Sequence, residues 1–187
     1  MKVGILLATG FEEGEALFLL DTLRRGNIDA YSISINDDLV VEGSHNIKVF
    51  ADMLLDEKVN DFDMVILPGG LPGSTNLRDD ERVIKLVQDF NEKGKYIGAI
   101  CAAPIVLAKA GVVIGKNVTS YPAEQFKGVF TDSNYIDDAL VVIDGYIITS
   151  RGPALTLEFA YQIIDLLGGD SAPLKEGMLY NYLLGKK

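Results

Sequence analysis

The stretch Tyr96-Ile97-Gly98-Ala99-Ile100-Cys101-Ala102-Ala103-Pro104 joins two apolar segments through the only cysteine of the chain. Tyr96–Ile100 is a short, nearly continuous apolar run, which predicts a strand buried on both faces. Ala102–Ala110 reads as a helix, stopped by Gly111. Cys101 therefore sits where a strand hands over to a helix. A nucleophile on such a sharp turn needs small neighbours, because the backbone there is crowded. Gly98, Ala99, Ala102 and Ala103 supply them. A helix that starts just after the sulfur points amides at it and favours the thiolate. The competing reading is a core cysteine in an apolar strand, since free cysteine is among the most buried residue types.

The same alternation of strand and helix extends in both directions. Lys2–Leu7 predicts a buried strand. Glu13–Arg25 predicts a helix with Ala16, Leu19, Leu20 and Leu23 on one face and Gly26 as its stop. Asp29–Ile35 and Met64–Leu67 read as strands. Asp80–Glu92 reads as a helix, with Val83, Leu86, Val87 and Phe90 at helical spacing before Gly94. Leu140–Ile143 and Tyr146–Thr149 flank Asp144-Gly145, a strong hairpin signal. Leu155–Leu167 and Leu174–Leu184 predict the last helices. Near-continuous apolar strands alternating with helices imply an α/β fold, a mostly parallel sheet with helices on both faces. No linker or repeat divides the chain, so residues 1–187 are expected to form one domain.

Composition narrows the functions. The net charge is −10, with 17 Lys and Arg against 27 Asp and Glu. Nucleic acid and anionic membranes need a positive face, so neither is an expected partner. The uncharged run Tyr96–Ala108 is too short for a membrane span, which takes about 20 residues. The start, Met1-Lys2-Val3, lacks the features of a signal peptide, and the expected location is cytoplasmic. One cysteine and one histidine leave no internal disulfide and argue against most transition-metal sites. The expectation is no metal and no cofactor.

In parallel sheets, ligands sit beyond the carboxyl ends of the strands. Three segments lie at such ends, Thr9–Glu15, Pro68–Gly73 and Cys101–Pro104. Gly69-Gly70, after Met64–Leu67, suits a close backbone approach or an oxyanion-binding amide, and equally a tight turn. Phe11-Glu12-Glu13-Gly14-Glu15 packs three carboxylates after the first strand. Helix-dipole charge accounts for Glu13 at least. A carboxyl beside the cysteine acts in either direction: ionised it raises the thiol pKa, and protonated it donates to the thiolate and lowers it. Arg151, in Ser150-Arg151-Gly152-Pro153, suits an anion or simply caps loop carbonyls. His45, in Glu42-Gly43-Ser44-His45-Asn46, reads as a solvated turn residue.

Taken in order, Leu67-Pro68-Gly69-Gly70, Ala99-Ile100-Cys101-Ala102-Ala103-Pro104 and Thr149-Ser150-Arg151-Gly152-Pro153 resemble the ThiJ/PfpI superfamily. Phe11-Glu12-Glu13-Gly14-Glu15 and Leu23-Arg24-Arg25-Gly26 resemble its Parkinson-disease-protein (DJ-one-like) branch. The resemblance covers about Lys2 to Leu183. It implies a flavodoxin-like three-layer sandwich and a homodimer. It also implies a nucleophile elbow at Cys101, a protonated glutamate at Glu15 bonded to the sulfur, and backbone amides at Gly70 and Ala102. Glu12, Gly69, Tyr121, Ser150, Arg151 and His45 are implied to line the site. Two positions depart from the pattern. Tyr121, in Thr119-Ser120-Tyr121-Pro122, stands where many relatives carry histidine. His45 stands at a position often occupied by arginine, in a turn that approaches the dimer partner's site.

The resemblance implies a small aldehyde or glycated substrate. The leading expectation is a glutathione-independent glyoxalase acting on α-oxoaldehydes such as methylglyoxal, or a deglycase acting on their protein adducts, with a part in oxidative-stress protection. The alternative is a non-catalytic redox sensor or chaperone that uses Cys101. Peptidase or amidase chemistry ranks third, because it needs an activating base and Tyr121 is a poor one. Cys101 is expected to be a thiolate near neutral pH.

Overall fold

The computed structural model describes residues 1–185. β1 (Lys2–Leu7) buries every residue after Lys2. α1 (Glu13–Arg25) turns Ala16, Leu19 and Leu23 inward and ends where Gly26 N–H donates to Thr22 O at 3.0 Å. β2 (Asp29–Ser34) follows. Three short strands come next: β3 (Val40–Glu42), β4 (Lys48–Phe50) and β5 (Met53–Leu54). β6 (Met64–Leu67) is wholly buried and leads into α2 (Gly73–Asp79). α3 (Glu81–Glu92) begins at Asp80, whose carboxylate accepts from Arg82 N–H, and it buries Val83, Leu86, Val87 and Phe90. β7 (Tyr96–Ile100) precedes α4 (Pro104–Ala110), which closes on Gly111 in the left-handed region. β8 (Asn117–Val118), α5 (Glu124–Lys127) and β9 (Asn134–Tyr135) form a small excursion. β10 (Val141–Asp144), β11 (Ile147–Ser150), α6 (Thr156–Leu166), α7 (Ala172–Gly177) and α8 (Tyr180–Leu183) complete the chain.

Seven strands pair in the order β10-β11-β7-β6-β1-β2-β5. All neighbours are parallel except β10 and β11. Side chains alternate across the sheet, as a two-residue period demands. Leu6, Val65, Leu67, Ile97 and Ala99 face one core, with Val83, Val87, Phe90 and Leu107. Val3, Ile5, Leu7, Met64, Ile66 and Ile148 face the other, with Leu19, Leu23, Phe159 and Ile163. The result is the expected three-layer α/β sandwich. Each fully buried Leu, Ile or Phe contributes about 1.5–3 kcal/mol by leaving water. Among the described residues, no helix is long and apolar enough to cross a membrane.

Register places the site. Leu67 pairs with Ala99, and Ile100 pairs with Ser150. The carboxyl ends of β6, β7 and β11 therefore finish side by side. Residues 8–15, 68–73 and 101–104 emerge at the same rim.

Several boundaries differ from the sequence reading. The helix after Cys101 starts at Pro104. Proline lacks the N–H that a first helical turn leaves unused, so residues 101–103 remain a turn. The hairpin is shifted by one residue, with Asp144 inside β10 and paired with Ile147. Asp144 is held there because its carboxylate accepts from Asn117 N–H at 2.8 Å. Gly145, at φ +63°, opens the turn instead. β2 stops at Ser34, one residue short of the expected Ile35. The last expected helix, Leu174–Leu184, is broken between α7 and α8, where Leu179 adopts φ +60°. Its apolar residues Tyr182 and Leu183 remain 73% and 75% exposed. That segment has no core to hold a continuous helix.

Candidate active site

Cys101 adopts φ +63°, a strained conformation for a residue with a side chain. Two hydrogen bonds hold it there. Its N–H donates to Ser150 O at 3.0 Å, and its carbonyl accepts from Tyr121 N–H at 2.8 Å. Small neighbours make the turn possible. Ala102 and Ala103 are buried beneath it. A methyl group at Gly69 would lie 2.6 Å from Cys101 Cβ and 3.1 Å from its Sγ. Gly70, at φ +88°, presses against Glu12 N so closely that no side chain fits. The cysteine is thus part of a built turn and partly accessible.

Glu15 comes from the first turn of α1 and is fully buried. Its Oε2 accepts from Gly69 N–H at 2.6 Å. Its Oε1 accepts from no protein donor, so that oxygen suits a carried proton. Burial raises the carboxyl pKa to about 7, against the lowering effect of the Gly69 amide and of Cys101. The thiol pKa is also pushed up. Burial is the main cause, followed by the charge and hydrogen bond of Glu15, while the Ala102 and Gly70 amides pull it down. This runs against the expectation of a thiolate near neutral pH, which rested on the helix N-terminus and a Glu15 hydrogen bond. The two amides favour the anion, but burial and a neighbouring carboxylate oppose them. Two such close groups titrate as a pair. One proton leaves near neutrality, and the second is held far longer, because two anions in contact repel.

A cleft of about 470 Å³ opens over the sulfur, lined by Glu12, Ser44, His45, Gly70, Leu71, Cys101, Ala102, Tyr121, Gln125, Phe126 and Pro153. Glu12, His45 and Tyr121 thus border the same space as Cys101. The Tyr121 ring meets Phe126 edge-on, with centroids 6.0 Å apart. Ser150 and Arg151 play other parts. Ser150 Oγ donates to Leu140 O at 2.8 Å, and its carbonyl anchors Cys101. The Arg151 guanidinium caps the Asp137 carbonyl and reaches its carboxylate at 3.1 Å. Arg151 borders a neighbouring groove with Tyr121 and Pro153.

Sequence reasoning missed Glu13. Instead of an exposed helix-dipole charge, it is a buried carboxylate, 4% exposed, that builds the turn bearing His45. Its Oε1 accepts from His45 N–H at 2.7 Å and Ile47 N–H at 3.4 Å. Its Oε2 lies 2.9 Å from His45 Nδ1. Gly43 lies against the Glu13 side chain with no room for a methyl group. Burial opposes the Glu13 charge, but His45 and the backbone amides outweigh it and lower the pKa to about 2. The His45 pKa is raised in turn by the Glu13 hydrogen bond and by the charges of Glu12 and Glu13. Glycine at position 43 was a possible signal. Ser44, Leu71, Gln125, Phe126 and Pro153 were also missed, and no periodicity marks them. Among the described residues, one cluster has metal-ligand character: Glu12, Glu13 and His45, with ligand atoms within 4.8 Å of one another. The Glu13–His45 hydrogen bonds account for that closeness.

The DJ-1/PfpI family pattern matches residues 1–166. The chain belongs to the DJ-1/PfpI family. Within that family it is similar to dj-1beta of Drosophila melanogaster, at 40% identity over 181 residues, covering 95% of this chain and 96% of the relative. The crystal structure of Drosophila DJ-1beta matches it with a TM-score of 0.90 at 38% identity, covering 95% of this chain and 97% of the other. A deglycase of Pyrococcus horikoshii is 31% identical over 169 residues, 89% of this chain and 99% of the relative.

Proposed function

We propose that this protein is a cysteine-dependent enzyme acting on α-oxoaldehydes such as methylglyoxal or on their adducts with amines. One observation carries the reading: a fully buried Glu15 carboxyl, its pKa raised to about 7, packed with Cys101 around Gly69 at the floor of an open cleft. With the shared proton on Glu15, the thiolate attacks the aldehyde carbon. The carbonyl π pair moves to oxygen, which faces the Gly70 and Ala102 amides. Glu15 then gives that oxygen its proton, forming a hemithioacetal, and becomes the base that moves hydrogen from one carbon to the next. The carbon bonded to sulfur is oxidised and its neighbour reduced, so no external oxidant is needed. Water cleaves the resulting thioester, releasing a 2-hydroxy acid and restoring the thiol. The deglycase relative supports the adduct branch of this reading.

The test is product analysis. Wild type should convert methylglyoxal to lactate, and Cys101→Ser should not. Equal turnover by both would overturn the reading, as would casein cleavage that Cys101→Ser abolishes. A second reading, oxidation of Cys101 as a sensor, draws on the same Gly70 and Ala102 amides, which suit the oxygens of a sulfinate. Mass spectrometry after mild peroxide treatment would show two added oxygens on Cys101. We also propose a homodimer. The turn at residues 43–46 runs into Ile47, which with exposed Leu17 and Phe18 lines one groove, an apolar patch suited to a second copy. A monomer by light scattering at micromolar concentration would exclude it.

A further inference from the structure

A carboxylate that is 4% exposed is costly unless it is paired and hydrogen-bonded. Glu13 is not merely neutralised. Two backbone N–H groups, of His45 and Ile47, fix its Oε1, and Oε2 is aimed at His45 Nδ1 at 2.9 Å. Ser44 Oγ adds a contact of 3.0 Å to the same Nδ1. The imidazole is therefore oriented through one nitrogen, which leaves Nε2 as its free donor or acceptor. His45 borders the cleft that contains Cys101. This is the logic of an acid–base histidine held by a buried carboxylate. It stands in a cleft where Tyr121, not histidine, occupies the position beside the elbow.

We propose that His45, oriented by Glu13, is a second acid–base group of the cleft, serving the substrate oxygen one carbon beyond the site of sulfur attack. The proposal rests on the α-oxoaldehyde reading above. After the hemithioacetal forms, Glu15 removes the hydrogen from the sulfur-bearing carbon. The electron pair shifts towards the neighbouring carbonyl, whose oxygen takes a proton from His45 Nε2. The product is a neutral enediol. It collapses when the imidazole accepts the proton of the hydroxyl on the sulfur-bearing carbon and Glu15 delivers its proton to the second carbon, whose own hydroxyl keeps the proton His45 gave it. Each group gives and receives one proton, so the step balances. The site supports this division of labour. Gly70 and Ala102 amides lie beside the sulfur, whereas His45, 67% exposed, sits towards solvent. The charged groups facing His45 from α1 are Glu12 and Glu13, at 3.8 Å and 2.9 Å from Nδ1. Across the cleft the titratable groups are Cys101 and Tyr121, with Glu15 behind the sulfur.

His45 is the only histidine, so its imidazole protons give an isolated NMR titration. The experiment follows that titration, the pH profile of methylglyoxal turnover, and iodoacetamide alkylation of Cys101, in wild type, His45→Asn, Glu13→Gln and Cys101→Ser. In wild type, turnover should decline at high pH with the midpoint of the imidazole titration. Glu13→Gln should move both midpoints down together. His45→Asn should lower kcat by about 10²-fold, the scale of one acid–base group, and lose that limb of the profile, while alkylation shows the elbow intact. An unchanged kcat and pH limb in His45→Asn, with Cys101→Ser inactive, would overturn the role of His45 alone. Turnover that survives in Cys101→Ser would instead overturn the underlying reading and the proposal with it.

Discussion

The Gly69 amide donates a 2.6 Å hydrogen bond to Glu15 Oε2, and Gly69 also packs on Cys101. One glycine thus sets the distance between the strand end, the buried carboxyl and the sulfur. Its lack of a side chain is what lets the acid and the nucleophile meet.

Gly69→Ala should therefore damage the site directly. The added methyl would fall 2.6 Å from Cys101 Cβ and 2.7 Å from Glu15 Oε2. Overpacking of this kind costs about 1–3 kcal/mol. Urea denaturation should show that loss, with turnover falling further than the change in stability explains.

Glu15 couples stability to pH. Its carboxyl pKa rises from 4.5 to about 7 on folding. Below pH 4.5 both folded and unfolded chains hold the proton, and the contribution is fully present. Between 4.5 and about 7 the unfolded chain releases a proton that the folded chain keeps, so stability declines as pH rises. The full decline is about 3 kcal/mol. Denaturation at pH 4 and pH 8 should show it in wild type, relative to Glu15→Gln.

Glu13 has the opposite sign. Its pKa falls from 4.5 to about 2, so its contribution is present above pH 4.5 and is lost as pH falls towards 2. Glu13→Ala leaves the His45 and Ile47 amides without their acceptor. The expected cost at pH 7 is about 1–3 kcal/mol, measured by denaturation, and it should shrink on acidification. A cost near zero would restore Glu13 to the role of a solvated helix charge.

The elbow stores backbone strain at Cys101, φ +63°. Alanine keeps that strain and glycine relieves it. Cys101→Gly should therefore be more stable than Cys101→Ala by about 1 kcal/mol, despite its more flexible unfolded chain. Equal stabilities would mean that the turn is not strained.

Much of the architecture was legible because it rests on local periodicity. Lys2–Leu7, Glu13–Arg25, Met64–Leu67 and Tyr96–Ile100 have the boundaries the residues predict. Apolar runs and helical spacing report burial, and burial decides these elements. The small residues around Cys101 likewise pointed to a tight turn there, whereas the pairing of Glu15 with it came only from the family resemblance. The short hairpin β3–β4, α2 and the excursion around α5 were not legible, since segments of two to seven residues are too short to carry a clear period. What tertiary structure alone decided was electrostatic. Glu12, Glu13 and Glu15 are near neighbours of the same residue type, yet one borders the cleft, one binds a turn more than 30 residues away, and one is sealed against the sulfur. The Glu13 and Glu15 pKa values part because desolvation and hydrogen-bond donors differ at those two positions. Those differences arise from strands and turns brought together by the sheet, so no local reading of Phe11-Glu12-Glu13-Gly14-Glu15 contains them.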